Sequence, residues 1–177
     1  MGRRTEAVTR TFRINRASLD VLEAEAEKES LSASALLNKI LQRYVETTAW
    51  GDRYNFVNLP NSSFAKLLRN LSEDEAYSLG VESAKGEKEN LINFMWKGKT
   101  VDEFLQFIDR NYGVYCGWFR CNHQNNDNKH LVVTQHNLDS RWSHFLAGYI
   151  KTLFQAVHNI ELDHKISDNS VSFTFET

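Results

Sequence analysis

The sequence predicts an α+β protein built in two parts. The first is a short strand followed by two helices, a set that needs a second copy of itself. The second is an α+β sandwich with an antiparallel sheet and helices on one face. Three observations carry this prediction. Thr9-Arg10-Thr11-Phe12-Arg13-Ile14 alternates as a strand does. Apolar residues then recur every three or four positions as far as Val45. From Val114 onward the period returns to two in four separate runs, interrupted by one long helical pattern.

In an extended backbone Phe12 and Ile14 point one way, and Thr11 and Arg13 the other. A lone strand leaves both edges with unpaired N–H and C=O groups. Helices follow directly, so the nearest partner is a second copy of the chain. The result is a two-stranded antiparallel ribbon across a dimer axis, of a width that fits the major groove of B-DNA.

Composition is that of a globular protein: 41% apolar, 25% charged and 12% aromatic over 177 residues, enough for one domain or two small ones. No apolar run approaches the roughly 20 residues of a membrane span. The first residues lack the apolar stretch of a secretory signal. Cys116 and Cys121 fall on one predicted strand with their side chains on opposite faces, so no mutual disulfide is expected. A reducing, cytoplasmic setting follows. The net charge of −2 does not mark a nucleic-acid binder. Its distribution does more: Arg3, Arg4, Arg10, Arg13 and Arg16 stand against the single acid Glu6 at the start, and acids lead from 17 to 48. Residues 1–8 are expected to be disordered until bound, with Arg3 and Arg4 in reach of phosphates.

Ala17-Ser18-Leu19-Asp20 opens the first helix, with Leu19, Leu22 and Ala26 as its apolar stripe and its glutamates toward solvent. Ser32 caps the second. Leu36, Leu37, Ile40, Leu41, Tyr44 and Val45 give that helix an apolar face too broad for one short partner. The run RTFRINRASLDVLEAEAEKESLSASALLNKILQRYV resembles a ribbon-helix-helix DNA-binding domain of the Arc/MetJ type. The likeness covers about 40 residues, Val8 to Glu46, and rests on order and spacing rather than on one diagnostic residue.

The resemblance implies that Thr9, Thr11 and Arg13 read bases and that Phe12 and Ile14 are core. It implies that the start of the second helix, Ser32, Ala33 and Ser34, grips a phosphate. Arg10 stands where the family favours an inward apolar residue and would snorkel to a phosphate, with Arg16 beside it. Ser30 stands where the family often has Gly. Arg13 suits guanine O6 and N7, the threonines suit several base edges, and a helix start favours a phosphate. Two-fold symmetry predicts a near-palindromic site.

Thr47–Asp52 is the expected boundary, with Gly51 near a helix C-cap, giving a DNA-binding and dimerisation domain at 1–50 and a second domain at 52–177. Tyr54–Leu59 alternates like a strand. Asn61-Ser62-Ser63 starts a helix. Ser72–Glu75 and Thr100–Glu103 read as capping boxes. The helix after Ser72 is expected to run to Met95 or Trp96, with a kink or break at Gly80 or Gly86. Val114–Cys121 and His130–His136 read as strands joined by a polar loop, Gln124–Lys129. Asn137 is expected to cap a long helix through Val157, followed by a hairpin turning at Asp168-Asn169.

Five of the six histidines lie between 123 and 158. His130 and His136 share a strand face but stand about 20 Å apart at ~3.4 Å per residue, too far for one ion. Cys121 and His123 form an i, i+2 pair. No CxxC, HxH or HExxH occurs, so no metal and no cofactor are expected. His136, Arg141 and Trp142, where a strand delivers the chain to a helix start, form a possible anion site; an Asn cap and a packed Trp explain the same residues. No nucleophile elbow, phosphate loop or paired carboxylates stand out, so an enzyme is not expected.

The function expected is a dimeric transcriptional regulator, of repressor type, that binds double-stranded DNA, with a second domain that senses a small-molecule effector or extends the assembly toward a tetramer. The alternatives are an antitoxin, which a second domain of over 100 residues fits poorly, and an enzyme fused to an autoregulatory DNA-binding domain.

Overall fold

In the computed structural model of the chain, residues 8–53, 56–87 and 100–177 are described. The fold is mixed α+β with a four-stranded antiparallel sheet. The chain divides into two compact units, Met1–Tyr54 and Asn55–Thr177. Among the described residues, no helix is long and apolar enough to cross a membrane.

The first unit is helical. Asn15 caps α1 (Arg16–Lys28), its side chain accepting the Ser18 N–H at 2.8 Å. The cap therefore precedes the expected Ala17 opening. Ala26 is buried, Leu19 and Leu22 are half-buried, and the glutamates are exposed. The helix ends in a Schellman turn: Leu31 N–H donates to the Ala26 carbonyl at 2.9 Å and Ser30 N–H to the Glu27 carbonyl at 3.0 Å. Ser30 takes the left-handed conformation there, at φ 56°. Only Gly enters that region without a Cβ penalty, so Ser30 holds it at some cost.

Ser32 caps α2 (Ala33–Arg43) as expected, its Oγ accepting the Ala35 N–H at 3.1 Å. Helix then continues through a π-helical turn at Tyr44–Thr48 into α3 (Ala49–Arg53). The expected stop at Gly51 is thus corrected. An interior Gly costs about 1 kcal/mol but does not break a helix, and the nearest proline is Pro60.

The expected strand at Thr9–Ile14 is not formed in the single chain: Val8–Asn15 carries no regular structure and is exposed throughout. A strand exists only through hydrogen bonds to a neighbour, and the described strands all lie beyond Cys116 in the other unit.

In the second unit, Phe56–Pro60 is irregular and exposed rather than a strand. Residues 54 and 55 lie outside the described residues. α4 (Asn61–Leu68) buries Leu68. The Ser72 box closes as read, with Glu75 N–H on Ser72 Oγ at 3.2 Å and Ser72 N–H on the Glu75 carboxylate at 2.7 Å. α5 (Glu73–Glu87) runs unbroken through Gly80. Its expected continuation to Met95 or Trp96 lies outside the described residues. The Thr100 box opens α6 (Val101–Ile108), which extends as a π-helical segment, Asp109–Tyr115. Val114 and Tyr115 are therefore helical, not the start of a strand.

β1 (Arg120–Asn126) and β2 (Lys129–Gln135) form a tight hairpin whose two turn residues, Asp127 and Asn128, both have positive φ. That is the twist-matched turn such loops favour. Most of the expected polar loop is thus strand. Asp139, not Asn137, caps α7 (Ser140–His158), accepting the Arg141 N–H at 3.1 Å. β3 (Asp163–Ser167) and β4 (Ser170–Glu176) turn at Asp168-Asn169, as read. The sheet order is β1-β2-β4-β3.

His130, Val132, Thr134, Val171, Phe173 and Phe175 are buried on one face of the sheet. α7 packs there and is buried along its length, from Trp142 to Phe154. Each large apolar side chain so buried contributes roughly 1.5–3 kcal/mol. α5 lies against α7 so closely that Gly80 and Gly148 face backbone of the opposite helix.

Candidate functional site

The residues expected to meet DNA bases, Thr9, Thr11 and Arg13, are exposed in the first unit, as is Arg10. Arg16 opens α1, with its Nε on Asp20 at 2.8 Å. Both side chains are exposed, so this pair adds little to stability and releases the guanidinium readily. Arg3 and Arg4 lie outside the described residues. At the start of α2, Ser32 Oγ is committed to the Ala35 N–H. A phosphate there would meet the first-turn N–H groups of Ala33 and Ser34, which a helix leaves without intrahelical partners.

The same unit exposes a set of apolar side chains. Phe12 is 67% exposed, Ile14 42%, Ile40 49%, Leu41 46%, Tyr44 51% and Val45 66%. Only Ala26 and Leu36 count as buried apolar residues in its described part. Two helices with so small a core do not balance the entropy of ordering them.

In the second unit, the residues read as an anion site are engaged internally. Arg141 Nε donates to the Leu71 carbonyl at 2.7 Å and Nη1 to Asp139 at 3.2 Å. Trp142 is buried and donates its Nε1–H to the Trp118 carbonyl at 3.0 Å. His136 is buried, with Nε2 2.8 Å from Ser143 Oγ and Nδ1 accepting the Leu138 N–H at 3.3 Å. These bonds hold β2 to the start of α7 without a ligand. His144 lies within reach of the Ser140 carbonyl and, at 3.7 Å, of Glu73.

The His136 bonds fix a neutral ring with its proton on Nε2. Burial holds its pKa below the ordinary 6.5, with the Leu138 backbone and then Asp139 opposing part of the shift. Between the folded and unfolded values the unfolded chain binds more protons, so stability falls as pH drops. Urea unfolding followed by tryptophan fluorescence is expected to show stability declining as pH falls through about 6.5 and levelling below the folded value. His136→Gln is expected to reduce that decline, leaving the share carried by His123, His158 and His164, which burial also holds low.

The histidines of the hairpin combine differently from the expectation. The register sets His123 opposite Val132 and His130 opposite Asn125, so the two are diagonal neighbours on one face. His123 Nε2 lies 2.8 Å from His130 Nδ1. The sequence places His123 beside Cys121 and sets His130 against His136 only to separate them, so the His123–His130 pair goes unseen. Identifying Asp127-Asn128 as a two-residue turn would have found the pair, because it fixes the register. Cys121 is no partner for His123: burial, with Asp109 adding, pushes its thiol up to about 12, so it stays protonated near neutral pH. Cys116 and Cys121 are free thiols. An apolar cavity of about 10 Å³ between sheet and helices, lined by Leu105, Cys121, Val132 and Phe173 among others, has room for one water-sized sphere and not for an organic effector.

No protein-family model matches the chain, and no curated protein is significantly similar to it.

Proposed function

We propose that the chain is a DNA-binding transcriptional regulator of ribbon-helix-helix type, acting as a homodimer. The observation that carries this reading is the uncovered apolar set of the first unit, Phe12, Ile14, Ile40, Leu41, Tyr44 and Val45. These side chains come from the two segments that a ribbon-helix-helix dimer interlocks, the N-terminal extended stretch and the second helix. A second copy supplies both the strand partner that Thr9–Ile14 lacks and the cover that α2 lacks. Pairing the two stretches turns Thr9, Thr11 and Arg13 outward as one two-fold face, with the basic arm on either side. The second unit then extends the assembly or modulates it.

Selection of bound duplexes from a random pool tests this reading. The expected product is a near-palindrome whose half-sites reflect the dimer. On that site, Arg13→Ala is expected to cost about 1–3 kcal/mol and to relax preference at one position per half-site. Equal affinity and unchanged sequence preference in the variant would remove the base-reading role. Failure to enrich any sequence would remove the function.

A further inference from the structure

We propose that Asp102, His123 and His130 form a binding site for a divalent late transition-metal ion, with imidazole, imidazole and carboxylate as its protein ligands. The site lies wholly in the second unit and does not depend on the DNA-binding reading.

One ligand atom from each of the three residues lies within 4.8 Å of the others. Each comes from a different element, and each is positioned locally. His130 is on β2, 4% exposed, with its ring parallel to that of Phe175 at 4.6 Å between centroids. Its Nε2 lies 3.2 Å from Thr177 Oγ1, which leaves Nδ1 as the atom turned to the site. A ligating histidine is ordinarily oriented in this way, by a hydrogen bond on its other nitrogen. His123 is on the edge strand β1 and exposed, with its Nε2 toward His130. Asp102 sits in the first turn of α6, which the Thr100 capping box fixes.

The two imidazoles are nearly coplanar, at 6° between planes and 5.1 Å between centroids. Their nitrogens therefore face each other in plane, and one proton lies between them. An ion replaces that proton. At a metal–nitrogen distance of ~2.0–2.1 Å, two imidazole nitrogens on one ion stand roughly 3–3.4 Å apart. Reaching this from the observed 2.8 Å requires the exposed His123 ring to swing outward, so that both lone pairs meet an ion set off the line between the two nitrogens. Asp102 neutralises one of the two charges the ion brings. Two imidazoles and one carboxylate select Zn²⁺, Ni²⁺, Co²⁺ or Cu²⁺ over Mg²⁺ or Ca²⁺, which prefer all-oxygen sites. Three protein ligands leave positions for water, which describes an exchangeable site rather than a closed structural one.

The test is a titration of the full chain with Co²⁺, read by its visible absorption, and with Zn²⁺ by calorimetry. One ion per chain is expected, with no comparable heat from Mg²⁺. His123→Gln is expected to weaken binding more than about 100-fold, since even outer-shell changes cost roughly 10–100-fold. Thr177→Val is expected to fall within that outer-shell range. His144→Gln, away from the site, should bind as the parent does. Circular dichroism checks that each variant folds, and Asp102→Asn, at an exposed helix start, carries the test should His123→Gln not fold. Absence of saturable binding, or equal binding by the parent, His123→Gln and Asp102→Asn, would overturn the site and leave only a hydrogen-bonded histidine pair.

Discussion

Replacing Gly148 by Ala is expected to destabilise the Asn55–Thr177 unit by about 3 kcal/mol, at the upper end of what overpacking costs. A Cβ at Gly148 would stand 2.3 Å from the Tyr77 carbonyl oxygen, and one at Gly80 would stand 2.1 Å from the Phe145 carbonyl oxygen. The clash is reciprocal across the α5–α7 crossing, and the obstructing atoms are backbone. A side chain can rotate away; a carbonyl held in a helix cannot. The helices must part, and interiors packed to crystal density lose dispersion contacts along the whole seam when they do. That seam on α5 includes Ala76, Gly80 and Ala84, the two alanines fully buried, with Tyr77 and Val81 against Gly148; trimming Val81 would not move the Tyr77 carbonyl that meets the new Cβ first. The better helix propensity of Ala returns at most about 1 kcal/mol.

Gly86 is the internal control. It is on the same helix, but a Cβ there meets nothing within 4 Å. Gly86→Ala should therefore leave stability unchanged or raise it by up to about 1 kcal/mol. Thermal unfolding separates the cases: for a domain of this size Gly148→Ala should lose roughly 10 °C or more in Tm. Equal Tm values for Gly148→Ala and Gly86→Ala would mean that the two helices do not approach as described.

Gly80 also shows where sequence reading stops. Within its own helix a glycine reads as a weak point, and a kink was the natural expectation. Its role lies in an approach to a residue 65 positions away in the chain, which no local pattern encodes. Capping boxes behave oppositely. Ser72–Glu75 and Thr100–Glu103 close within four residues, so their signal is complete in the sequence and both formed as read. The hairpin at Asp168-Asn169 was legible because apolar alternation flanks it on the β4 side.

β1 was misread because its sequence, RCNHQNN, is polar on both faces. As the outer strand of the sheet it needs no apolar stripe, and polarity there discourages edge-to-edge pairing. That misreading hid the register, and with it the His123–His130 pair. Tyr54–Leu59 erred the other way. Its alternation is real, but a period of two fixes which way side chains point and does not supply a hydrogen-bonding neighbour.

The same distinction governs Thr9–Ile14, and it makes the strongest test of the proposed dimer. Ile40→Glu in the full chain is expected to abolish dimerisation and, with it, specific DNA binding. In the single chain Ile40 is 49% exposed, so nothing among the described residues forbids a carboxylate at that position. In the proposed dimer Ile40 is covered by the second copy, and the charge would be buried without a partner at a cost of about 3–5 kcal/mol. The two-fold axis doubles the insult, because both copies bring the same carboxylate to one interface. Loss of the dimer removes the ribbon, since each Thr9–Ile14 stretch has only its counterpart to pair with. Sedimentation is expected to show a monomer, with the second unit still folded by near-ultraviolet dichroism of Trp118 and Trp142. Lys39→Glu distinguishes burial from charge. Lys39 is exposed beside Ile40 and, among the described residues, pairs with the exposed Glu29, at 2.6 Å. It should cost no more than the roughly 1 kcal/mol of a surface ion pair and leave the dimer intact. A dimer that survives Ile40→Glu would place the apolar face of α2 outside any interface and remove the reason for pairing the N-terminal stretch.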